Sequence, residues 1–125
     1  MPLRVTSHFG PRAHPITGAH SMHEGVDLAA AMGTPVMSVL GGRVDVVSLP
    51  DPGPTRGGYT VIIDHGAGWS SRYLHLSGVA VQVGQLVARG QVIGASGTAG
   101  TGPHLHLEIH SPRGPIDPMS VLPGA

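Results

Sequence analysis

Short apolar runs at strand spacing, cut by glycine and proline, organise this chain. Thr34-Pro35-Val36-Met37-Ser38-Val39-Leu40, Gly42 to Val47 and Tyr59-Thr60-Val61-Ile62-Ile63-Asp64 predict β-strands, divided by Gly41-Gly42 and by Pro50-Asp51-Pro52-Gly53-Pro54. Ser71 to Leu76, Val79 to Val83, Gln85 to Val87 and Gln91 to Gly94 continue the series, and His104 to His110 closes it. No segment sustains a helical period over three turns, so the expected fold is all-β. Residues 1–27 read as a loop-like entry with turn signals at Gly10-Pro11, His14-Pro15 and Thr17-Gly18, and the proline-bearing tail 112–125 reads as an outer wrap. Gly33-Thr34-Pro35-Val36 with Gly41-Gly42-Arg43-Val44 is echoed by Gly84-Gln85-Leu86-Val87 with Gly90-Gln91-Val92-Ile93, each a strand, glycine turn, strand.

The sharpest alternation is His104-Leu105-His106-Leu107-Glu108-Ile109-His110, with three His and one Glu on one face and Leu105, Leu107 and Ile109 on the other. Alternate Cα atoms on a strand lie roughly 6.6 Å apart, so His104 and His106 can meet around one ion, or one can bind it while the other reaches its water. His23-Glu24-Gly25-Val26-Asp27 adds an imidazole and a carboxylate that a straight strand would hold roughly 13 Å apart, too far to share an ion. Gly25 is expected to turn the backbone sharply between them. Together the two motifs complete two His and one carboxylate, the set that leaves a fourth zinc position open.

Composition narrows the partners. The 125 residues include 20 Gly and 12 Pro, yet 40% are hydrophobic and 11% charged, which suits one ordered domain with a core. With Trp 1, Tyr 2 and Phe 1, that core must be aliphatic. Seven basic residues balance seven acidic ones, which argues against nucleic acid or an anionic membrane as partner. All seven are Arg, and a chain without Lys carries no biotin, lipoyl or Schiff base on a lysine amine. The absence of Cys excludes disulfides and thiolate zinc sites, while nine His are the functional hint. No apolar run of signal-peptide or membrane-spanning length occurs, which points to a phage-encoded or excised domain.

His23-Glu24-Gly25-Val26-Asp27-Leu28 with Gly33-Thr34-Pro35-Val36, then Ile63-Asp64-His65-Gly66, Tyr73-Leu74-His75-Leu76-Ser77, Val83-Gly84-Gln85, Gly90 to Gly94 and Gly102-Pro103-His104-Leu105-His106, resemble the LytM or lysostaphin type of zinc peptidase, family M23. Ser7-His8-Phe9-Gly10-Pro11-Arg12 with His14 to Gly18 matches the entry segment of that family, and the resemblance covers about residues 6–119. Two departures stand out: Ser96 to Thr101 is shorter than the common family form, and Leu107 replaces the usual Phe.

The resemblance implies an antiparallel β-sandwich with a narrow groove, residues 1–125 forming one monomeric catalytic domain. It also implies zinc endopeptidase activity on peptide cross-links of bacterial peptidoglycan, acting on the cell wall, in the periplasm or outside the cell. Carried over by position, His23, Asp27 and His106 are zinc ligands, His104 the catalytic base for the attacking water, and His75 the residue that stabilises the oxyanion. Strand alternation, with Leu74 and Leu76 facing the core, is expected to send His75 into the groove. The biological owner, autolysin, bacteriocin, morphogenesis enzyme or phage lysin, is left open. A Lys-free chain rich in Ala, Gly, Arg and Pro suggests a GC-rich genome, and on that association the D-alanyl to meso-diaminopimelate link is preferred over glycine bridges. The alternative is an inactive relative that binds cell-wall peptide or regulates a partner hydrolase; a missing ligand would mark it, and none is missing here.

The remaining polar residues divide evenly or toward structure. Glu108 is either a partner of the ligand His or a structural carboxylate. His8, His14, His20 and His110 read as solvated, Asp64-His65 as a turn, and Arg12 and Tyr73 as either substrate contacts or scaffold.

Overall fold

A computed structural model describes residues 5–13, 20–48, 58–99 and 102–121, leaving out the side chains of residues 6–7, 11–13, 20–23, 98–99 and 102–104. Twelve strands follow in order among them: β1 (Val5–Ser7), β2 (Gly10–Ala13), β3 (His20–His23), β4 (Val26–Ala29), β5 (Pro35–Met37), β6 (Gly42–Ser48), β7 (Tyr59–Gly66), β8 (Trp69–Val79), β9 (Leu86–Val87), β10 (Val92–Ala99), β11 (Gly102–Ser111) and β12 (Gly114–Ile116). A single 3₁₀ turn, Pro118–Ser120, is the helical element among the described residues. All recorded pairings are antiparallel, as the absence of a helical period predicts. The main sheet runs β1-β4-β11-β10-β8-β7-β6-β9, with β12 on β11 and β5 on β10, and β2-β3 form a separate ribbon.

The expected loop-like entry is therefore partly stranded. Val5 pairs with Leu28, and Gly10 to Ala13 pair with His20 to His23. These strands are short and at edges, so they carry no apolar alternation to read. The turn signals at His14-Pro15, Thr17-Gly18 and Pro50 to Pro54 lie outside the described residues. The tail is not a simple wrap: Ile116 pairs with Ile109, and Pro118 is buried.

The sequence echo has a spatial meaning, because its two members pair with each other. Val36 sits opposite Gly94 and Met37 opposite Val92, while Gly42 sits opposite Val87 and Arg43 opposite Leu86. Backbone bonds Ser38 N to Gln91 O and Gly90 N to Ser38 O close the middle. Equal strand, turn, strand lengths are what such mutual pairing requires.

The core is aliphatic around one aromatic residue. Val26, Val44, Val61, Ile63, Leu76 and Ile93 are fully buried together with Tyr73. Asp64 and Gly66 stand at the end of β7 as expected, with Ala67 and Gly68 at positive φ making the tight two-residue turn into β8. His65, expected only to make that turn, is instead tied into the core: its Nδ1 lies 2.9 Å from Gly41 O and its Nε2 lies 2.8 Å from Ser71 Oγ. Ser71 Oγ lies 2.7 Å from the Tyr73 hydroxyl, to which the Val39 N–H donates at 2.9 Å. Tyr73 is thus scaffold, and burial pushes its phenol pKa up despite the bonds to Ser71, Val39 and Ser38. Tyr73→Phe strips the Val39 N–H and Ser71 of a buried partner. Stability is expected to fall by about 1–3 kcal/mol, read as a lower urea midpoint at unchanged m.

Candidate metal centre

β4 and β11 run side by side with Asp27 directly opposite His106. Val26 and Leu28 alternate into the core, leaving Asp27 on the outer face, and Leu107 and Ile109 do the same for His106, Glu108 and His110. Asp27 Oδ1 and His106 Nδ1 consequently converge to 2.7 Å. Nε2 of the same ring lies 2.9 Å from Glu108 Oε2, and Glu108 Oε1 lies 2.7 Å from His110 Nε2.

The electrostatics are those of two carboxylates around one imidazole. Burial opposes charge on His106, but the hydrogen bonds and charges of Asp27 and Glu108 outweigh it and push its pKa up to about 9. Burial likewise works against the Glu108 carboxylate, and its bonds to His106 and His110 overcome this and hold it at about 2. Two carboxylates around one imidazole are donors that also suit a divalent cation. A ring nitrogen and a carboxylate oxygen are zinc donors; their 2.7 Å separation is that of a direct hydrogen bond, and tetrahedral bonds near 2.0–2.1 Å would set the two atoms about 3.3 Å apart, so an ion taking the place of the proton would spread them.

Gly25 stands at a bend between β3 and β4, as expected, without a left-handed φ. It also serves through space: a Cβ there would overlap the carbonyl oxygen of Leu107 and come within 2.8 Å of Glu108 Cγ and 3.0 Å of His106 Nε2. Glycine lets β11 and its side chains press against the start of β4.

His75 reaches the site by breaking alternation rather than obeying it. Ser71 and Tyr73 face the core, so strict alternation would bury His75 as well, and Leu74 is only half-buried. Instead His75 adopts φ 64, and the pairing of β8 with β7 and with β10 shifts register around it, returning Leu76 to the core. Two glycines make room: a Cβ on Gly58 would lie 2.7 Å from the His75 carbonyl carbon, and one on Gly97 would lie 2.6 Å from its oxygen. The His75 ring ends edge-on to that of His106, centroids 5.9 Å apart. A left-handed φ strains any residue but glycine. His75→Gly and His75→Ala both delete the ring, yet the glycine variant is expected to be the more stable by about 0.5–1 kcal/mol in thermal melts.

Beside His75 lies a groove of about 240 Å³ lined also by Met32, Tyr59 and Ser77. Its rim, residues 31–34, is pinned by Ser96, whose Oγ donates to Ala31 O and accepts from Thr34 N–H. A larger apolar cavity of about 670 Å³, with Val39, Leu40, Trp69 and Val121, takes Ile109 from the opposite face of β11. His65 lines it with both ring nitrogens already engaged.

Of the five residues expected at the site, Asp27, His106 and His75 are brought together by described side chains. His23 and His104 are placed by backbone alone, His23 opposite Gly10 and His104 opposite Ala29 and Gly97, and their side chains lie outside the described residues. His110, expected to be solvated, is mostly buried and bound to Glu108. Its place on the polar face two residues beyond Glu108 was the available signal.

Residues 21–118 match the Peptidase family M23. Peptidoglycan DD-endopeptidase ShyB of Vibrio cholerae is 44% identical over 119 residues, 93% of this chain and 27% of that protein. The chain thus spans about a quarter of the length of such relatives. Among solved structures, a zinc-containing peptidase from Vibrio cholerae matches with a TM-score of 0.81 at 42% identity, over 91% of this chain and 35% of that one. The catalytic domain of lysostaphin from Staphylococcus simulans matches with a TM-score of 0.77 at 33% identity, over 94% of this chain and 90% of that one.

Proposed function

Since the chain belongs to peptidase family M23, we propose that it is the catalytic domain of a zinc-dependent endopeptidase that cuts peptide cross-links in bacterial peptidoglycan. The observation that carries the reading is the convergence of Asp27 Oδ1 and His106 Nδ1 at 2.7 Å, with the His75 ring alongside. Asp27, His106 and His23 would hold the ion, which when bound would supply Lewis acidity and lower the pKa of water toward neutral. His104 takes the proton of the attacking water, and His75 donates a hydrogen bond to the oxygen that becomes negative. The groove beside His75 admits an extended peptide with small residues at the cut.

The substrate is the cell-wall stem peptide, met in the periplasm or outside the cell by a monomeric domain spanning residues 1–125. The bond is that between D-alanine and meso-diaminopimelate. The DD-endopeptidase character of ShyB supports this choice, as does the Arg-only, Lys-free composition. Incubating the zinc-loaded domain with purified cross-linked muropeptide dimers and, separately, with pentaglycine tests it. Monomer release from the dimers is the expected result. Cleavage of pentaglycine alone transfers the reading to glycyl bridges, and retention of dimer without cleavage of either makes the domain a wall-binding module.

A further inference from the structure

We propose that Glu108 and His110 are a positioning pair that fixes which ring nitrogen of His106 is presented to the metal. The inference rests on the zinc reading above and deepens it. His106, Glu108 and His110 occupy alternate positions of β11, bonded in series at 2.9 Å and 2.7 Å. An ionised carboxylate only accepts hydrogen bonds, so both imidazoles donate to it from Nε2. A neutral imidazole that donates from Nε2 keeps its lone pair on Nδ1, and Nδ1 is the nitrogen that faces Asp27. With an ion in place of the Asp27–His106 hydrogen bond, the other tautomer would set the Nε2 lone pair against Glu108 Oε2 and leave no lone pair on Nδ1 for the ion.

Glu108 has little room to do otherwise. His110 occupies its second oxygen, its side chain is only 12% exposed, and its Cγ fills the space left by the missing side chain of Gly25. Arg72 stands opposite Glu108 on β8, so the carboxylate has a cationic cross-strand neighbour. A carboxylate buried to this degree and bonded at both oxygens is an orienting group rather than a solvated one.

Zinc titration into the metal-free domain tests the pair in Glu108→Ala, Glu108→Gln, His110→Ala and Asp27→Ala, with ¹⁵N spectra of the His106 ring in each. Glu108→Ala is expected to weaken zinc binding by about 10–100-fold. Glu108→Gln keeps an acceptor oxygen and recovers part of the loss, while His110→Ala loses less than Glu108→Ala. At a pH where the ring is neutral, the tautomer is read in the metal-free Asp27→Ala background, where no Asp27 carboxylate competes for a proton on Nδ1: Nε2–H alone is expected there, and both tautomers once Glu108→Ala is added. Unchanged zinc affinity and an unchanged tautomer in both Glu108 variants overturn the proposal, and Glu108→Gln decides if the alanine variant does not fold. Wild-type zinc affinity in Asp27→Ala strikes the zinc reading instead, and the metal-free tautomer then decides the positioning by itself.

Discussion

A His106→Ala protein is expected to purify without zinc and without hydrolytic activity, whereas His104→Ala keeps its zinc and turns over about 10²–10⁴-fold more slowly. The two belong to one strand and one motif, but a ligand and a base fail in different ways. His106 already has its Nδ1 against Asp27, and removing the ring takes away a donor outright. The loss of affinity should exceed the about 10–100-fold that removal of an outer partner costs. Metal analysis of each variant after dialysis, beside its rate on cross-linked muropeptides, separates them. Equal zinc loss in both would show that the assignment of roles within His104-x-His106 is wrong.

Gly25→Ala is the second large effect, and it arises at a residue with no side chain to take part in the chemistry. The added methyl would overlap the carbonyl oxygen of Leu107, a backbone atom in a strand paired along both edges, and cannot be relieved by a rotamer change. It would also press on Glu108 Cγ and His106 Nε2. We expect a loss of about 3 kcal/mol, the upper end for overpacking, and a melting temperature roughly 10 °C lower. Zinc affinity should fall with it, because the same methyl displaces the ring of His106. Melting curves with and without zinc check both parts.

What could be read from the chain beforehand follows from the range of the interaction involved. The β11 alternation is local, and it placed Leu107 and Ile109 in the core with His106 and Glu108 on the other face. The two motifs could be paired across 79 residues because zinc chemistry restricts which residue types may combine, and the choice of His106 over His104 beside Asp27 came from the family resemblance. The path of His75 could not be read this way. Its bulge depends on Gly58 and Gly97, on two different elements, neither near it in sequence. Gly25 shows the same limit: a glycine announces either an unusual φ or a close approach, and only the neighbouring strand says which. The Gly41, His65, Ser71 and Tyr73 chain joins three segments, so a reading along the sequence took His65 for a turn residue.

β11 also differs from the other strands in its bonding: β4 lies along one side, β8 and β10 along the other, and β12 folds back on its end. A strand held in this way has no fraying edge, so its amide hydrogens are expected to exchange with solvent only when the whole domain opens. The backbones that carry Asp27 and His106 are then expected to stay paired until unfolding. For such a domain the lifetime of the site under heat or denaturant is the lifetime of the fold, so its durability is set by the unfolding rate rather than by the site itself.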